Sequence, residues 1–190
     1  MNYLTAILNI INKVIAFILI AILMPLFLCI ASLILILDGK PIFYKQVRLG
    51  QNMKPFTLYK FRTMKVNSYY KKQVDKKYPL AHDTQDPRVT RLGKILRKLS
   101  IDELPQLWNI LKGDMNFVGV RPLIEEESKL VSKEHFKYKP GLTGPTQIYR
   151  TDNLTIEKIN KLEADFNNKY TLKTKLIIVL KTFKVIWKGI

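Results

Sequence analysis

The chain has 190 residues, enough for one domain with its own core, and a single cysteine, which excludes an intrachain disulfide. One cysteine and two histidines are also too few for a structural zinc site. Lysine and arginine number 32 against 15 acidic residues, and this net charge of +17 predicts an anionic partner: nucleic acid, an anionic membrane or a phosphorylated substrate.

The N-terminal region is apolar. Residues 1–13 mix apolar and polar side chains, as a short interfacial helix does. Residues 14–37 carry no charge, and as a helix they reach about 36 Å, enough to cross a bilayer. Pro25 lies near the middle of this run and is expected to bend it. The residues alone favour a kinked spanning helix, because membrane helices tolerate proline, over a re-entrant helix that dips into one leaflet and returns.

Two short strands follow, from Pro41 to Arg48 and from Phe56 to Met64, with a turn between them. Alternation along the second strand places Lys60 and Arg62 on one face. We therefore expect Arg48, Lys60 and Arg62 to point into one basic site. The alternative is a solvated, cationic edge strand.

A helix is predicted next, with Val89, Leu92, Ile95, Leu96 and Leu99 facing the core. Its basic residues share another side, which would meet lipid phosphates, substrate or only solvent.

The stretch from Ser100 to Leu107 holds two adjacent carboxylates, Asp102 and Glu103. Ser100 and Glu103 have the capping-box spacing, so we predict that Ser100 begins a helix that runs on toward Gly113. Pro105 fits best at the first helical position, which leaves a start at Glu103 or Leu104 open. Both carboxylates would then lie in its first turn, where backbone N–H groups keep them ionised. Acidic first turns are common, so on its own this pair is also typical of an ordinary helix start.

Two later segments complete the pattern. Arg121 lies in a predicted loop that ends at Pro122, and its guanidinium suits a phosphate. The C-terminal segment places apolar residues on one helical face and lysines opposite: Leu172, Leu176, Val179, Leu180, Phe183 and Trp187 against Lys173, Lys181, Lys184 and Lys188. This pattern is typical of an amphipathic helix at a membrane surface, and equally of a helix packed on its domain.

Several of these segments match one family pattern. Residues 100–115 read S-I-D-E-L-P-Q-L-W-N-I-L-K-G-D-M, and residues 118–122 read V-G-V-R-P. The chain also has Q-x-R-x-G at 46–50, Y-K-F-R-T-M at 59–64, K-P-G-L-T-G at 139–144, and Gln147. It therefore resembles the bacterial sugar transferases, the monotopic phosphoglycosyl transferases that start glycan assembly on a polyprenyl phosphate.

The resemblance implies a helix-rich α+β fold with a re-entrant N-terminal helix bent at Pro25, a small β-hairpin and amphipathic interfacial helices. Residues 1–40 would be the membrane-associated helix and residues 41–190 a catalytic domain on the membrane surface. Ser100 and Pro122 would have structural roles. The chain departs from the family pattern at Met24, at Val120 and after Gln147.

The resemblance also implies a chemistry. Asp102 would be the nucleophile, and Asp102 and Glu103 would hold Mg²⁺. The phosphates and the rest of the substrate would be bound by Arg48, Lys60, Arg62, Arg97, Arg121 and Gln147. The expected reaction moves a phosphosugar from a UDP-sugar to polyprenyl (undecaprenyl) phosphate through an aspartyl-phosphosugar intermediate, with release of UMP.

The expected partners are the UDP-sugar, polyprenyl phosphate and membrane lipid. Nucleic acid is not expected as a partner, and whether the chain forms a homo-oligomer is left open. The expected location is the cytoplasmic face of a bacterial inner membrane. The alternative from another class is a membrane-tethered, non-catalytic basic protein that binds nucleic acid or anionic lipid.

Overall fold

The computed structural model describes residues 3–66, 86–148 and 155–187. In chain order its helices and strands are α1 (Tyr3–Leu37), β1 (Phe43–Leu49), β2 (Pro55–Phe61), α2 (Arg91–Lys98), α3 (Gln106–Lys112), β3 (Asn116–Val118), α4 (Glu125–Ser128), β4 (Gly141–Thr143), α5 (Ile156–Asn168) and α6 (Leu172–Trp187). The helix-rich α+β prediction is confirmed at this level. The Trp187 side chain and Lys188 lie outside the described part.

Helix α1 is one continuous helix of 35 residues that contains Pro25. Its stretch from Ala6 to Leu37 has a mean hydropathy of 3.1 and is long and apolar enough to cross a membrane, judged by length and composition. Most of its apolar side chains are exposed. A few are buried against the rest of the protein: Ala16 packs with Leu58 and Leu107, and Ile30 and Ile34 pack with Phe61 and Leu96.

Strands β1 and β2 form the predicted hairpin, paired antiparallel from Phe43 opposite Phe61 to Leu49 opposite Pro55. A 3₁₀ turn, Gln51–Met53, joins them. Helix α3 is fixed to this hairpin by Asn109, which is fully buried. Its amide donates to Thr57 O at 2.6 Å, and its side-chain oxygen accepts from Tyr59 N at 3.2 Å. Because Asn109 bonds both backbone groups, the hairpin has a fixed position relative to the segment before α3.

The capping-box prediction at Ser100 is wrong. Ser100 has φ 56°, and its side chain does not cap a helix. Residues Ile101–Glu103 form a separate 3₁₀ turn, and α3 begins only at Gln106, after Pro105. The chain turns between α2 and α3, and the left-handed conformation at Ser100 makes this turn. The predicted end of the helix at Gly113 is confirmed by its φ of 91°.

The predicted core face of α2 is correct only in part. Leu96 is buried, whereas Ile95 and Leu99 are 58% and 47% exposed. A Cβ on Gly93 would lie 2.2 Å from Thr63 O, so α2 approaches the chain after β2 through this glycine. A short helix that docks through Gly93 buries only a narrow stripe, which leaves Ile95 and Leu99 outside it.

Strands β3 and β4 form a parallel pair, with Asn116 opposite Gly141 and Val118 opposite Thr143. The turns after them touch closely, since a Cβ on Gly144 would lie 1.9 Å from Gly119 O. This contact requires glycine, and it brings the V-G-V-R-P and K-P-G-L-T-G motifs side by side.

Helices α5 and α6 cover this pair through a core of Val118, Val120, Phe166 and Ile178. Helix α6 therefore packs on the domain through Ile178. The predicted apolar face is still largely open: Leu176, Leu180 and Phe183 are 60%, 62% and 68% exposed.

Candidate active site

A cavity of about 280 Å³ lies between the hairpin, the 3₁₀ turn before α3, the loop after β3, the loop after β4 and helix α6. One part of its wall is apolar, with Leu58, Leu104 and Phe117 among its residues. The polar part of the wall comprises Arg48, Lys60, Ser100, Glu103, Gln106, Arg121, Thr143, Thr146, Gln147 and Thr182. Segments far apart in the sequence thus contribute to one polar surface.

Lys60 and Glu103 form an ion pair in this wall, with Lys60 Nζ 2.7 Å from Glu103 Oε1. Strand β2 carries the lysine and the 3₁₀ turn carries the glutamate. Their side chains are 25% and 18% exposed, so water screens this pair less than an open surface pair. The pair places a cation and an anion at one point of the cavity.

Asp102 is on the same 3₁₀ turn and is only 3% exposed. The residues on either side of it, Ile101 and Glu103, line the cavity, and Asp102 is not among the lining residues. Successive side chains of a 3₁₀ helix point about 120° apart, so the two carboxylates of the pair take different directions. Asp102 is therefore a buried carboxylate next to the wall.

Arg121 lines the cavity from the loop after β3. Its Nε is buried and has no hydrogen-bond partner among the described residues. The backbone is held on both sides of it, because Gly141 N donates to Val120 O at 2.9 Å and Leu49 N donates to Leu123 O at 2.7 Å. Arg121 O itself accepts from a ring nitrogen of His135 at 2.8 Å. A guanidinium on a fixed backbone, with a buried donor to spare, is suited to bind an anionic ligand.

Arg48 also lines the cavity, but its charge has a partner. Arg48 Nη1 lies 3.2 Å from the carboxylate of Glu127 and donates to Pro122 O at 3.1 Å. Both side chains of this pair are largely buried. Arg48 therefore ties the Pro122 end of the Arg121 loop to strand β1.

Arg62 does not share this site, contrary to the expectation from strand alternation. Strand β2 ends at Phe61, so the alternation no longer applies at Arg62. Its guanidinium is buried and donates to Asp38 O and Gly39 O, just after the end of α1. Arg97 is likewise not among the lining residues, and its Nε donates to Thr63 Oγ1 at 2.9 Å. Arg62 thus binds the chain at the end of α1, and Arg97 binds the segment that follows β2.

Other expected residues do reach the cavity. Gln147, Ser100 and Pro122 all line it, and Gln147 Oε1 lies 3.2 Å from Thr146 Oγ1. Pro25 lies in α1, away from the cavity lining.

Sequence reasoning missed the threonines. Thr143 and Thr146 lie in and just after the K-P-G-L-T-G motif, so their position next to it was the available signal. Thr182 comes from α6, where Thr143 Oγ1 and Thr182 Oγ1 are 2.6 Å apart. The amphipathic pattern of α6 gave no sign that one of its polar residues faces a cavity.

The comparisons with known proteins establish the family of the chain. The model of the bacterial sugar transferase family matches residues 3–189, so the chain belongs to that family and the resemblance is confirmed. The chain is 41% identical over 165 residues to the galactosyl transferase CpsE of Streptococcus agalactiae, which covers 80% of this chain and 36% of that protein.

Two further relatives differ in length. The chain is 37% identical over 174 residues to the exopolysaccharide production protein ExoY of Sinorhizobium fredii, covering 85% of this chain and 77% of that protein. It is 35% identical over 186 residues to the UDP-glucose:undecaprenyl-phosphate glucose-1-phosphate transferase of Escherichia coli. This match covers 93% of this chain and 38% of that protein. The chain thus spans little more than a third of CpsE and of the E. coli transferase.

Proposed function

We propose that this protein is a phosphoglycosyl transferase that moves a phosphosugar from a UDP-sugar to polyprenyl phosphate, releases UMP and so begins glycan assembly. The observation that carries the proposal is one cavity that unites the Lys60–Glu103 ion pair with Arg121, next to the buried carboxylate of Asp102. A diphosphate needs cations beside it, and phosphoryl transfer needs a nucleophile within reach. Two relatives, including the E. coli transferase, have undecaprenyl phosphate in their names, and this supports the same reaction.

In the proposed first step, a carboxylate oxygen of Asp102 attacks the phosphorus that bears the sugar. A new P–O bond forms to Asp102, and the P–O bond to the uridine-bearing phosphate breaks. UMP leaves with that electron pair, and Arg121 and Lys60 stabilise the charge on the oxygens. Burial favours attack because it leaves the Asp102 carboxylate less hydrated than one in bulk water.

In the second step, a phosphate oxygen of the polyprenyl phosphate attacks the same phosphorus. The bond to Asp102 breaks, the carboxylate is regenerated, and the product is a polyprenyl diphosphate sugar. This two-step course divides one difficult displacement into two easier ones.

We propose that Glu103, which lines the cavity, would hold a magnesium ion shared with the substrate, with Asp102, the next residue in the chain, as the second carboxylate. Among the described residues no three acidic, histidine or cysteine side chains cluster, so the protein alone supplies no complete cage there. Mg²⁺ is commonly held by one or two carboxylates together with water and substrate phosphates. When bound, the ion would neutralise charge on the diphosphate. Lys60 would hold the Glu103 carboxylate in place for this role.

We also propose that α1 is re-entrant and that residues 41–190 lie on the cytoplasmic face of a bacterial inner membrane. Two polar contacts support this topology. Near the start of the apolar run, Asn12 donates to Asn116 at 3.2 Å, and just after its end Thr90 donates to Asp38 at 2.9 Å. A helix whose two ends bind the same domain cannot leave them on opposite sides of a bilayer while both contacts hold.

The test of the reaction is UMP release from a panel of UDP-sugars by the detergent-solubilised full chain, with and without polyprenyl phosphate. We expect one UDP-sugar to give acceptor-dependent turnover. A chain that releases no UMP with any of them would be better explained as a membrane-tethered protein that only binds anionic lipid or nucleic acid.

A further inference from the structure

We propose that His135 and Glu163 are positioning residues for the donor-binding wall, holding Arg121 and Thr146 in register. Neither lines the cavity, and nothing in the reaction above uses them. This inference rests on the proposed function, since it assumes that Arg121 binds the diphosphate of the donor.

The contacts form a continuous chain behind the wall. Nδ1 of His135 bonds a carboxylate oxygen of Glu163, and the other ring nitrogen, Nε2, bonds Arg121 O at 2.8 Å. The second carboxylate oxygen of Glu163 accepts from Thr146 Oγ1 at 3.3 Å. His135, Glu163 and Thr146 are 4%, 2% and 1% exposed, so water is almost excluded from the connection.

The arrangement fixes where the protons are. Arg121 O can only accept, so Nε2 of His135 must carry a proton. Nδ1 faces a carboxylate oxygen, so a proton must also lie between these two atoms, on the ring or on Glu163. In either form both ring nitrogens are used, and the imidazole plane cannot turn without breaking a buried hydrogen bond.

This connection links two walls of the cavity. His135 comes from the 3₁₀ turn Lys133–Lys137, and Glu163 comes from the middle of α5. One end holds the backbone of the residue whose guanidinium would bind the donor phosphates. The other end holds the hydroxyl of Thr146, whose oxygen lies 3.2 Å from the side-chain oxygen of Gln147. Loss of the connection is therefore expected to weaken donor binding through Arg121.

Two substitutions of His135 separate its two bonds. The amide nitrogen of asparagine stands about where Nδ1 stands, and that of glutamine about where Nε2 stands. His135→Gln can still donate to Arg121 O, whereas His135→Asn keeps only the contact to Glu163. Each variant loses one hydrogen bond, so a purely structural role of His135 predicts a similar loss of UDP affinity in both. We expect His135→Asn to raise the Kd for UDP about fivefold to tenfold and His135→Gln to leave it within about twofold of wild type.

The measurement is calorimetric titration of the full chain in detergent with UDP and Mg²⁺, alongside UMP release from UDP-sugars and the thermal midpoint of each variant. Glu163 supplies a second pair in case the histidine variants do not fold. Glu163→Gln can accept from Thr146 and donate to a neutral imidazole, so its Kd should stay near wild type, whereas Glu163→Leu should raise it as His135→Asn does.

Weaker UDP binding in His135→Asn than in His135→Gln, or in Glu163→Leu than in Glu163→Gln, supports the positioning role. Equal or reversed affinities in variants of similar thermal midpoint overturn it, as does a wild-type chain that does not bind UDP. A wild type that binds UDP but releases UMP from no UDP-sugar counts against the proposed function, and the order of the UDP affinities then still decides whether His135 positions Arg121.

Discussion

Lys60 Nζ and Glu103 Oε1 are 2.7 Å apart, although 43 positions separate the two residues in the chain. Strand β2 presents the lysine, and the 3₁₀ turn before α3 presents the glutamate. Asn109 makes this possible, because its two hydrogen bonds to β2 fix the strand against the helix that follows the turn. The ion pair is thus a product of how the hairpin docks.

Replacing Lys60 should impair catalysis with little effect on folding. Lys60→Met keeps the aliphatic stem but removes the charge that faces Glu103 and the donor phosphates. We expect UMP release to fall about a hundredfold, the usual scale for losing a positioned electrostatic group. Lys45→Met is the matched control, because Lys45 is an exposed lysine on the other strand of the hairpin. Similar rates for the two variants would remove Lys60 from the proposed mechanism.

Substitutions of the two neighbouring carboxylates, Asp102 and Glu103, should impair the reaction in different ways. Asp102→Asn should abolish UMP release and the labelling of the protein by a radioactive UDP-sugar given without acceptor. Glu103→Gln should keep some labelling but need more Mg²⁺, because a hard anionic ligand becomes a neutral amide.

Asp165→Asn, a change of the same size at an exposed position of α5, is the control and should label as wild type does. Stoichiometric label on Asp102→Asn, with turnover near the wild-type rate, would show that Asp102 is not the nucleophile.

The membrane topology of α1 can be tested by the accessibility of introduced cysteines. Cys29 is first replaced by serine, and single cysteines are then placed at Asn2 and at Lys40, which follows the left-handed Gly39. A re-entrant helix predicts that an impermeant thiol reagent modifies both sites only after the spheroplasts are opened. Modification of one site in intact spheroplasts and of the other only after opening would establish a spanning helix instead.

Charge reversal on α6 should weaken attachment to anionic membranes. The exposed Leu176, Leu180 and Phe183 give α6 an apolar face, and its lysines can contact lipid phosphates. The triple change of Lys173, Lys181 and Lys184 to glutamate should visibly reduce flotation with anionic vesicles, since each cation near the surface contributes about 1 kcal/mol.

The same reversal at Lys158, Lys161 and Lys169, in α5 and just after it, changes the net charge equally and serves as the control. An equal loss of flotation in both triple variants would assign the effect to net charge. Unchanged flotation of the α6 variant would show that α6 only packs on the domain.

Stability at low pH should report on Asp86. The Arg88 guanidinium hydrogen-bonds this carboxylate and lowers its pKa from 3.8 to about 2. Because the folded-state pKa is the lower one, the ionised group stabilises the folded protein above pH 3.8, and this contribution is lost as the pH falls toward about 2.

Asp86→Asn should therefore lower the free energy of unfolding at pH 7, and this deficit should be mostly lost by pH 2, as measured by denaturant unfolding in detergent. Asp165→Asn, an exposed change on α5, is the control. A deficit in Asp86→Asn that is as large at pH 2 as at pH 7 would contradict the assignment.

Local patterns predicted much of the secondary structure. The hairpin followed from alternation and a turn between the strands, and the end of α3 followed from Gly113. The prediction failed at Ser100, where spacing alone suggested a cap. Whether a serine caps a helix depends on the backbone, and the turn between α2 and α3 imposes a left-handed conformation there. The prediction for Arg62 was wrong for a similar reason, because the alternating pattern does not show at which residue strand β2 ends.

What the sequence by itself determined is the family, the long apolar helix and the residue types of the site, because these depend on composition and on long, specific runs such as residues 100–115. Only the tertiary structure decided which charges meet. Of the arginines expected at the phosphates, it brought Arg48 and Arg121 to the cavity, paired the first with Glu127, and turned Arg62 to the backbone after α1. It also placed His135 and Glu163 behind Arg121, a relationship no local pattern encodes. Such contacts depend on how distant segments dock, and close packing sets them to within a fraction of an ångström.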